Sequence, residues 1–167
     1  MPSERLSGKR AAVKLPVVLT LLWGASCLPS DFSERHASRV EAHLPPPGAP
    51  EDAVYVKAGR ALGPPDGRTV AIGRGSFVVL RFFRAVPNGP GPDLRIYELG
   101  PDGARARIAL SRGGARFVEL TTILEGPVSE IDFDDADLDR VSHVRIRGLD
   151  DAGAEPGFDL DALEALQ

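Results

Sequence analysis

The sequence predicts an all-β, antiparallel β-sandwich over residues 51–167, and three observations carry that expectation. Apolar stretches in this region are short and are separated by Gly, Pro, Asp and Asn clusters roughly every 10–15 residues. Several of them alternate apolar and polar residues with a period of two, as strands buried on one face do. The intervals leave no room for the helical crossovers that join parallel strands.

Ahead of this region the chain carries Arg5, Lys9, Arg10 and Lys14, then the apolar run LPVVLTLLW from Leu15 to Trp23. A run of about nine residues suits the middle of a cleavable export signal and is too short to span a bilayer. It closes on Gly24-Ala25-Ser26-Cys27, which resembles a bacterial lipobox, where small residues precede a cysteine that is diacylated and becomes the mature N-terminus. Cys27 is the expected lipidation site, with residues 1–27 as the signal. Gly24 stands where such boxes usually carry Leu, and the same small residues also suit plain cleavage and secretion. Residues 28–50 lack a sustained period and end in LPPPGAP, so they read as a disordered, Pro-rich tether. His36 and His43 fall inside it and are expected in solvent, a metal contact being the alternative.

About eight strands are expected, at 53–57, 77–82, 94–99, 107–111, 117–123, 129–133, 143–147 and 158–165. In the seventh, Val144 and Ile146 point one way while His143, Arg145 and Arg147 point the other; Leu94 and Ile96 oppose Arg95 and Tyr97 in the same manner. Pro101-Asp102-Gly103 and Arg112-Gly113-Gly114 supply turn residues that tolerate positive φ. The one place where more than a turn or two of helix fits is 135–140.

Charge and cysteine content narrow the function classes. The chain carries a net charge of −4, and residues 51–167 hold fourteen basic against twenty acidic side chains, which argues against a nucleic-acid surface. The single cysteine, Cys27, lies in the leader, so the domain has neither an internal disulfide nor a thiol nucleophile. His143 is the only histidine within 51–167. No Gly-x-Ser-x-Gly elbow or phosphate loop is present, GRGSF (73–77) reading as a tight turn into a strand. Catalysis is not expected.

The segment IALSRGGARFVEL (108–120) resembles the hairpin of discoidin-like domains in the galactose-binding-like superfamily, Ser111, Gly113, Gly114 and Phe117 matching a strand-ending Ser, a Gly-containing turn and an aromatic on the return strand. HVRIRGL (143–149) resembles their late core strand through Val144, Arg145 and Ile146. With ALGPPDG (61–67), NGPGPDLRIYE (88–98) and GFDLDALEAL (157–166) added, residues 53–166 resemble a family of secreted and surface-anchored bacterial β-sandwich domains, outlined as LGxPDG, GPDLxVxE and GFDLDAV. The resemblance implies a jelly roll, frequently with structural calcium and with carbohydrate or lipid head groups bound on loops at one end. This chain lacks the cysteine pair that staples discoidin domains and has Gly113 where Asp is common.

Four carboxylates are candidate calcium ligands. In the last strand strict alternation puts Asp159, Asp161, Leu163 and Ala165 on one face and Phe158, Leu160 and Ala162 on the other, so the aspartates sit among apolar neighbours and need a cation or hydrogen-bond donors. Calcium takes six to eight oxygens, mainly from carboxylates and carbonyls. Asp161 comes first, because jelly rolls resembling this one place a calcium-binding Asp in the final strand; Asp159 is second. Asp93 follows a Pro-Gly-Pro turn and Glu98 ends that strand. The alternative is that Asp93 caps a turn, that Glu98 pairs with an Arg, and that the two aspartates hold backbone amides or an Arg such as Arg145. The acidic stretch IDFDDADLD (131–139) fails as an EF-hand, with Arg140 where Gly is required and Ile146 where Glu is required. Tyr55, Tyr97 and Arg95 are the candidate ligand contacts, since sugars are held by aromatic faces and planar donors.

The expected protein is therefore an exported module, anchored to the outer membrane or cell surface by lipid or else secreted. It is expected to hold structural calcium and to bind a surface glycan through its loops. The alternative is an envelope structural or assembly lipoprotein that docks on another protein and takes no small ligand.

Overall fold

In the computed structural model, which describes residues 34–51, 53–100, 103–150 and 157–167, nine strands form two antiparallel sheets. The first sheet runs β1 (Ala37–Leu44), β3 (Phe77–Pro87), β8 (Arg140–Gly148), β5 (Arg105–Ser111), β6 (Val118–Glu125); the second runs β2 (Val70–Ile72), β9 (Phe158–Ala165), β4 (Leu94–Glu98), β7 (Val128–Ile131). From β2 onward each strand crosses to the other sheet except at the β5–β6 hairpin. That interleaving is the jelly-roll form of a sandwich.

Period-two alternation places the core where the sequence indicates. Val144 and Ile146 of β8 and Leu94 and Ile96 of β4 are buried, while Arg145, Arg147, Arg95 and Tyr97 face outward. Phe82, Phe133 and Phe158 fill the space between the sheets, each such burial contributing about 1.5–3 kcal/mol.

The last strand departs from strict alternation. Ala162 lies opposite Tyr97 but Leu160 lies opposite Glu98, with a register shift between them. Asp161 is thus the extra residue of a β-bulge. Phe158, Leu160, Leu163 and Ala165 consequently share the core, whereas unbroken alternation separates the second pair from the first.

Three other expectations are corrected. The segment assigned to a tether contributes β1, which pairs along β3; as an edge strand with mostly exposed residues and two register shifts, it presents no clean alternation. The domain therefore begins before residue 51, and His143 is not its only histidine: His36 is buried and bridges to Glu164. Residues 53–57 are not a strand, because the N–H groups of Val56 and Lys57 donate to the carbonyls of Ala53 and Val54 in a 3-10 turn (Val54–Val56). A second 3-10 turn, Ala58–Ala61, follows. The 135–140 segment is not a helix: it holds the end of a 3-10 turn, Phe133–Ala136, closed by Asp137 in the left-handed region, and the first residue of β8. β2 escapes sequence detection because all three of its residues are buried, leaving no polar face to alternate with.

Candidate functional site

The β5–β6 hairpin is clamped onto the start of β8. Ser111 Oγ, buried at the end of β5, accepts the Gly114 N–H at 2.9 Å. Gly114 has φ +83° and packs on the His143 ring, where a Cβ would lie 3.0 Å from Nε2, so the conformation favours glycine and the ring leaves little room for a side chain. Ser142 Oγ donates to the Arg112 carbonyl at 2.5 Å and lies 2.7 Å from His143 Nδ1. A hydroxyl has one proton, so the second contact is His143 Nδ1–H donating to Ser142, which leaves Nε2 unprotonated. Burial, reinforced by Arg81 and opposed by Glu41, holds the His143 pKa below its ordinary value. Arg112 adds an ion pair to Asp139 at 2.8 Å.

Two cavities flank this hairpin. One, about 490 Å³, opens between the turn and the loop that carries Ala136, Asp137 and Leu138. Its apolar lining comes from Ala115, Val118, Ala136 and Leu138, and its polar rim from Arg112 and Arg116 on one side and Asp137 on the other. Neither Arg116 nor the Asp137 side chain has an ion-pair or hydrogen-bond partner among the described residues. Asp137 has φ 51°, with its own N–H turned back to the carbonyls of Asp134 and Phe133. Capping that 3-10 turn accounts for the conformation, and the residue lines the cleft. The other cavity, about 350 Å³, lies on the outer face of the five-stranded sheet, floored by Ala42 and Val79 and walled by Phe117, His143 and Glu41.

The four carboxylates singled out in the sequence do not share one site. Asp161, at the bulge, accepts the N–H groups of Asp66 and Gly67 at 3.2 and 3.3 Å. Asp93 accepts those of Gly89 and Phe133 at 2.8 and 2.7 Å. Both are buried and both serve backbone amides, the hydrogen-bonding alternative. Glu98 and Asp159 do meet, beside Gly100, where a Cβ would lie 3.2 Å from Glu98 Oε1 and 3.6 Å from Asp159 Oδ2. Asp93 lies five residues along the strand from Glu98, about 17 Å away. No group of three or more His, Cys, Asp or Glu side chains among the described residues is arranged to hold a metal.

Of the candidate contact residues, Arg95 and Tyr97 come together at Glu164, 3.8 and 2.7 Å from its carboxylate, whereas Tyr55 lies apart. Arg95 pairs with Glu130 at 2.7 Å, and the Tyr97 hydroxyl donates to Glu164 at 2.7 Å on the outer face of the four-stranded sheet. Burial and the Glu164 carboxylate raise the Tyr97 pKa. Tyr55 sits in the first 3-10 turn, where its backbone bonds His43. Cys27 lies outside the described residues. Of the residues that line the larger cleft, Ser111 and Gly113 belong to the hairpin motif legible in the sequence, whereas Arg116 and Asp137 carry no motif signal, and Asp137 belongs to a loop whose contact with that hairpin is set only by the fold.

No family model matches the chain, and no curated protein matches it. Among solved structures, chitosan-binding module 1 from a chitosanase/glucanase of Paenibacillus sp. IK-5 superposes with TM-score 0.53 at 14% identity, covering 81% of this chain and 98% of the module. The chain shares that β-sandwich fold. A selenomethionine-labelled mutant of the same module gives 0.51 at 16% identity over 78% and 98%. A pectin-binding carbohydrate-binding module gives 0.49 at 12% identity over 78% and 92%.

Proposed function

We propose that the protein is a non-catalytic carbohydrate-binding module that holds a saccharide in the cleft between the β5–β6 hairpin and the 136–138 loop. The cleft carries this reading: at about 490 Å³ it falls within the roughly 300–1,000 Å³ of ligand sites. A cleft lined by two arginines, an aspartate and small apolar residues suits a ligand whose hydroxyls donate and accept while its C–H faces pack. The shared fold with a chitosan-binding module supports the reading in kind. Docking on an envelope protein calls for a contiguous apolar patch, whereas the exposed large apolar side chains among the described residues, Leu44, Phe83, Leu99, Val118, Ile123 and Val128, are spread over β1, β3, β6, β7 and the end of β4, in both sheets. Export, and anchoring through Cys27 at the outer membrane or cell surface, belong to the proposal on the strength of the leader sequence.

A structural calcium is also proposed, with Glu98 and Asp159 as its protein carboxylates. Their convergence at Gly100 supports it, since a hard cation takes carboxylate and carbonyl oxygens together. Asp93 and Asp161 are left to their amides.

The binding reading is tested by mixing the full chain with insoluble polysaccharides (chitosan, cellulose, xylan, peptidoglycan) and measuring its depletion from solution. Retention on at least one, lost in Arg116→Ala/Asp137→Ala, is expected. Complete recovery in every supernatant sinks it.

A further inference from the structure

The outer face of the five-stranded sheet carries a second, charge-selective feature. Arg39 of β1 stands directly opposite Arg81 of β3, and Arg107 of β5 directly opposite Arg147 of β8. Like charges in directly opposed positions destabilise a sheet, so this surface is not arranged for stability alone. Glu41 serves both members of the first pair, at 3.5 and 3.2 Å from Arg39 and Arg81. Glu119 serves three guanidinium groups, at 2.8, 4.0 and 3.9 Å from Arg107, Arg145 and Arg147. Five arginines thus share two glutamates on a chain whose net charge is −4.

The five lie on a diagonal. His143, opposite Arg81, and Arg147, opposite Arg107, are four residues apart on β8. From Arg81 to Arg107 the band therefore extends about 14 Å along the strands and about 10 Å across two of them. Arg145 sits midway, its guanidinium held 5.0 Å over the Phe117 ring, which fixes its plane while leaving donors outward. Small side chains, Ala42, Val79 and Ala109, separate the arginines.

We propose that this face docks a linear polyanionic polysaccharide, its carboxylate or sulfate groups bridged by Arg39, Arg81, Arg107, Arg145 and Arg147. Guanidinium forks match both groups bidentately, and a band of this length engages successive anionic units of one chain. An excess of only three positive charges is modest for a nucleic-acid surface. The apolar residues at its center are small, Phe83 lies exposed at its Arg39–Arg81 end, and the vesicle arm of the test below decides against a bilayer. The surface adjoins the cleft at Gly113, yet the proposal does not depend on the cleft: either site can fail alone.

Affinity electrophoresis of the full chain, through gels containing polygalacturonate (carboxylate) or heparin (sulfate), tests the proposal against dextran gels as the neutral reference. Retardation by at least one polyanion is expected, weakening severalfold as salt is raised from low to physiological strength. Arg145→Gln/Arg147→Gln should lose it at least tenfold with its melting temperature kept, whereas Arg116→Ala/Asp137→Ala should retain it. Which polymer retards identifies the anion. No retardation by either, retardation that ignores salt, an unchanged dissociation constant in the arginine variant, or tighter binding to duplex DNA or anionic vesicles overturns the proposal. The salt series on the unmodified protein decides the matter should the variant fold poorly.

Discussion

Asp161 accepts the Gly67 amide at 3.3 Å across 94 residues of sequence, and the same carboxylate takes the Asp66 amide at 3.2 Å. The bulge in β9 aims this side chain out of the strand's alternation and into the ALGPPDG turn. Asp161→Ala leaves two partly buried N–H groups without their acceptor. The expected loss is about 2–3 kcal/mol, equal in EGTA and in calcium. A loss confined to calcium-containing buffer would return Asp161 to the ligand set.

Calcium, by contrast, should act through Glu98 and Asp159. Millimolar calcium added to EGTA-treated protein is expected to raise the melting temperature, because a ligand bound only by the folded state stabilises it by mass action. Glu98→Gln should abolish the rise. A melting curve indifferent to calcium in the unmodified protein removes the metal from the account.

Gly148 packs against backbone, a Cβ there colliding with the carbonyl oxygens of Ile72 and Gly73. Peptide groups cannot rotate aside as a side-chain tip does. Gly148→Ala is expected to cost at least the roughly 1–3 kcal/mol of overpacking, read from urea unfolding, whereas Gly113→Ala, with open space around it, should cost far less.

Burial lowers the pKa of both His43 and His143 from 6.5. The unfolded chain then binds protons that the folded one does not, so stability is fully present above about pH 6.5 and falls as the pH drops below it. Melting temperatures taken from pH 7.5 down to 5.5 should decline, and His43→Gln/His143→Gln should flatten part of that slope. An identical slope in the double variant would place the proton uptake elsewhere.

The fold was legible wherever one face of a strand is buried and the other wet, as in Val144-Arg145-Ile146 and Leu94-Arg95-Ile96. It was illegible where that contrast fails: β1 is an edge strand exposed along most of its length, and β2 is buried throughout. The bulge at Asp161 hid in a sequence, FDLDALEA, that alternates acceptably in either register for half its length. At the candidate site the hairpin was visible through Ser111, Gly113 and Gly114, since turn chemistry is local. That Arg116 and Asp137 line one cleft was not, because two loops distant in sequence meet there only after the sheets have packed.

The most direct measurement is a titration of the isotope-labelled full chain with a soluble oligomer of whichever polysaccharide retains it, following backbone amide resonances. The largest shifts are expected at Gly113 to Arg116 and Ala136 to Leu138, with saturation lost in Asp137→Gly. That variant should nonetheless be about 0.5 kcal/mol more stable, since glycine adopts φ 51° without strain. Shifts centred on Arg95 and Tyr97, or binding that survives the Asp137→Gly change undiminished, would contradict the assignment of the cleft.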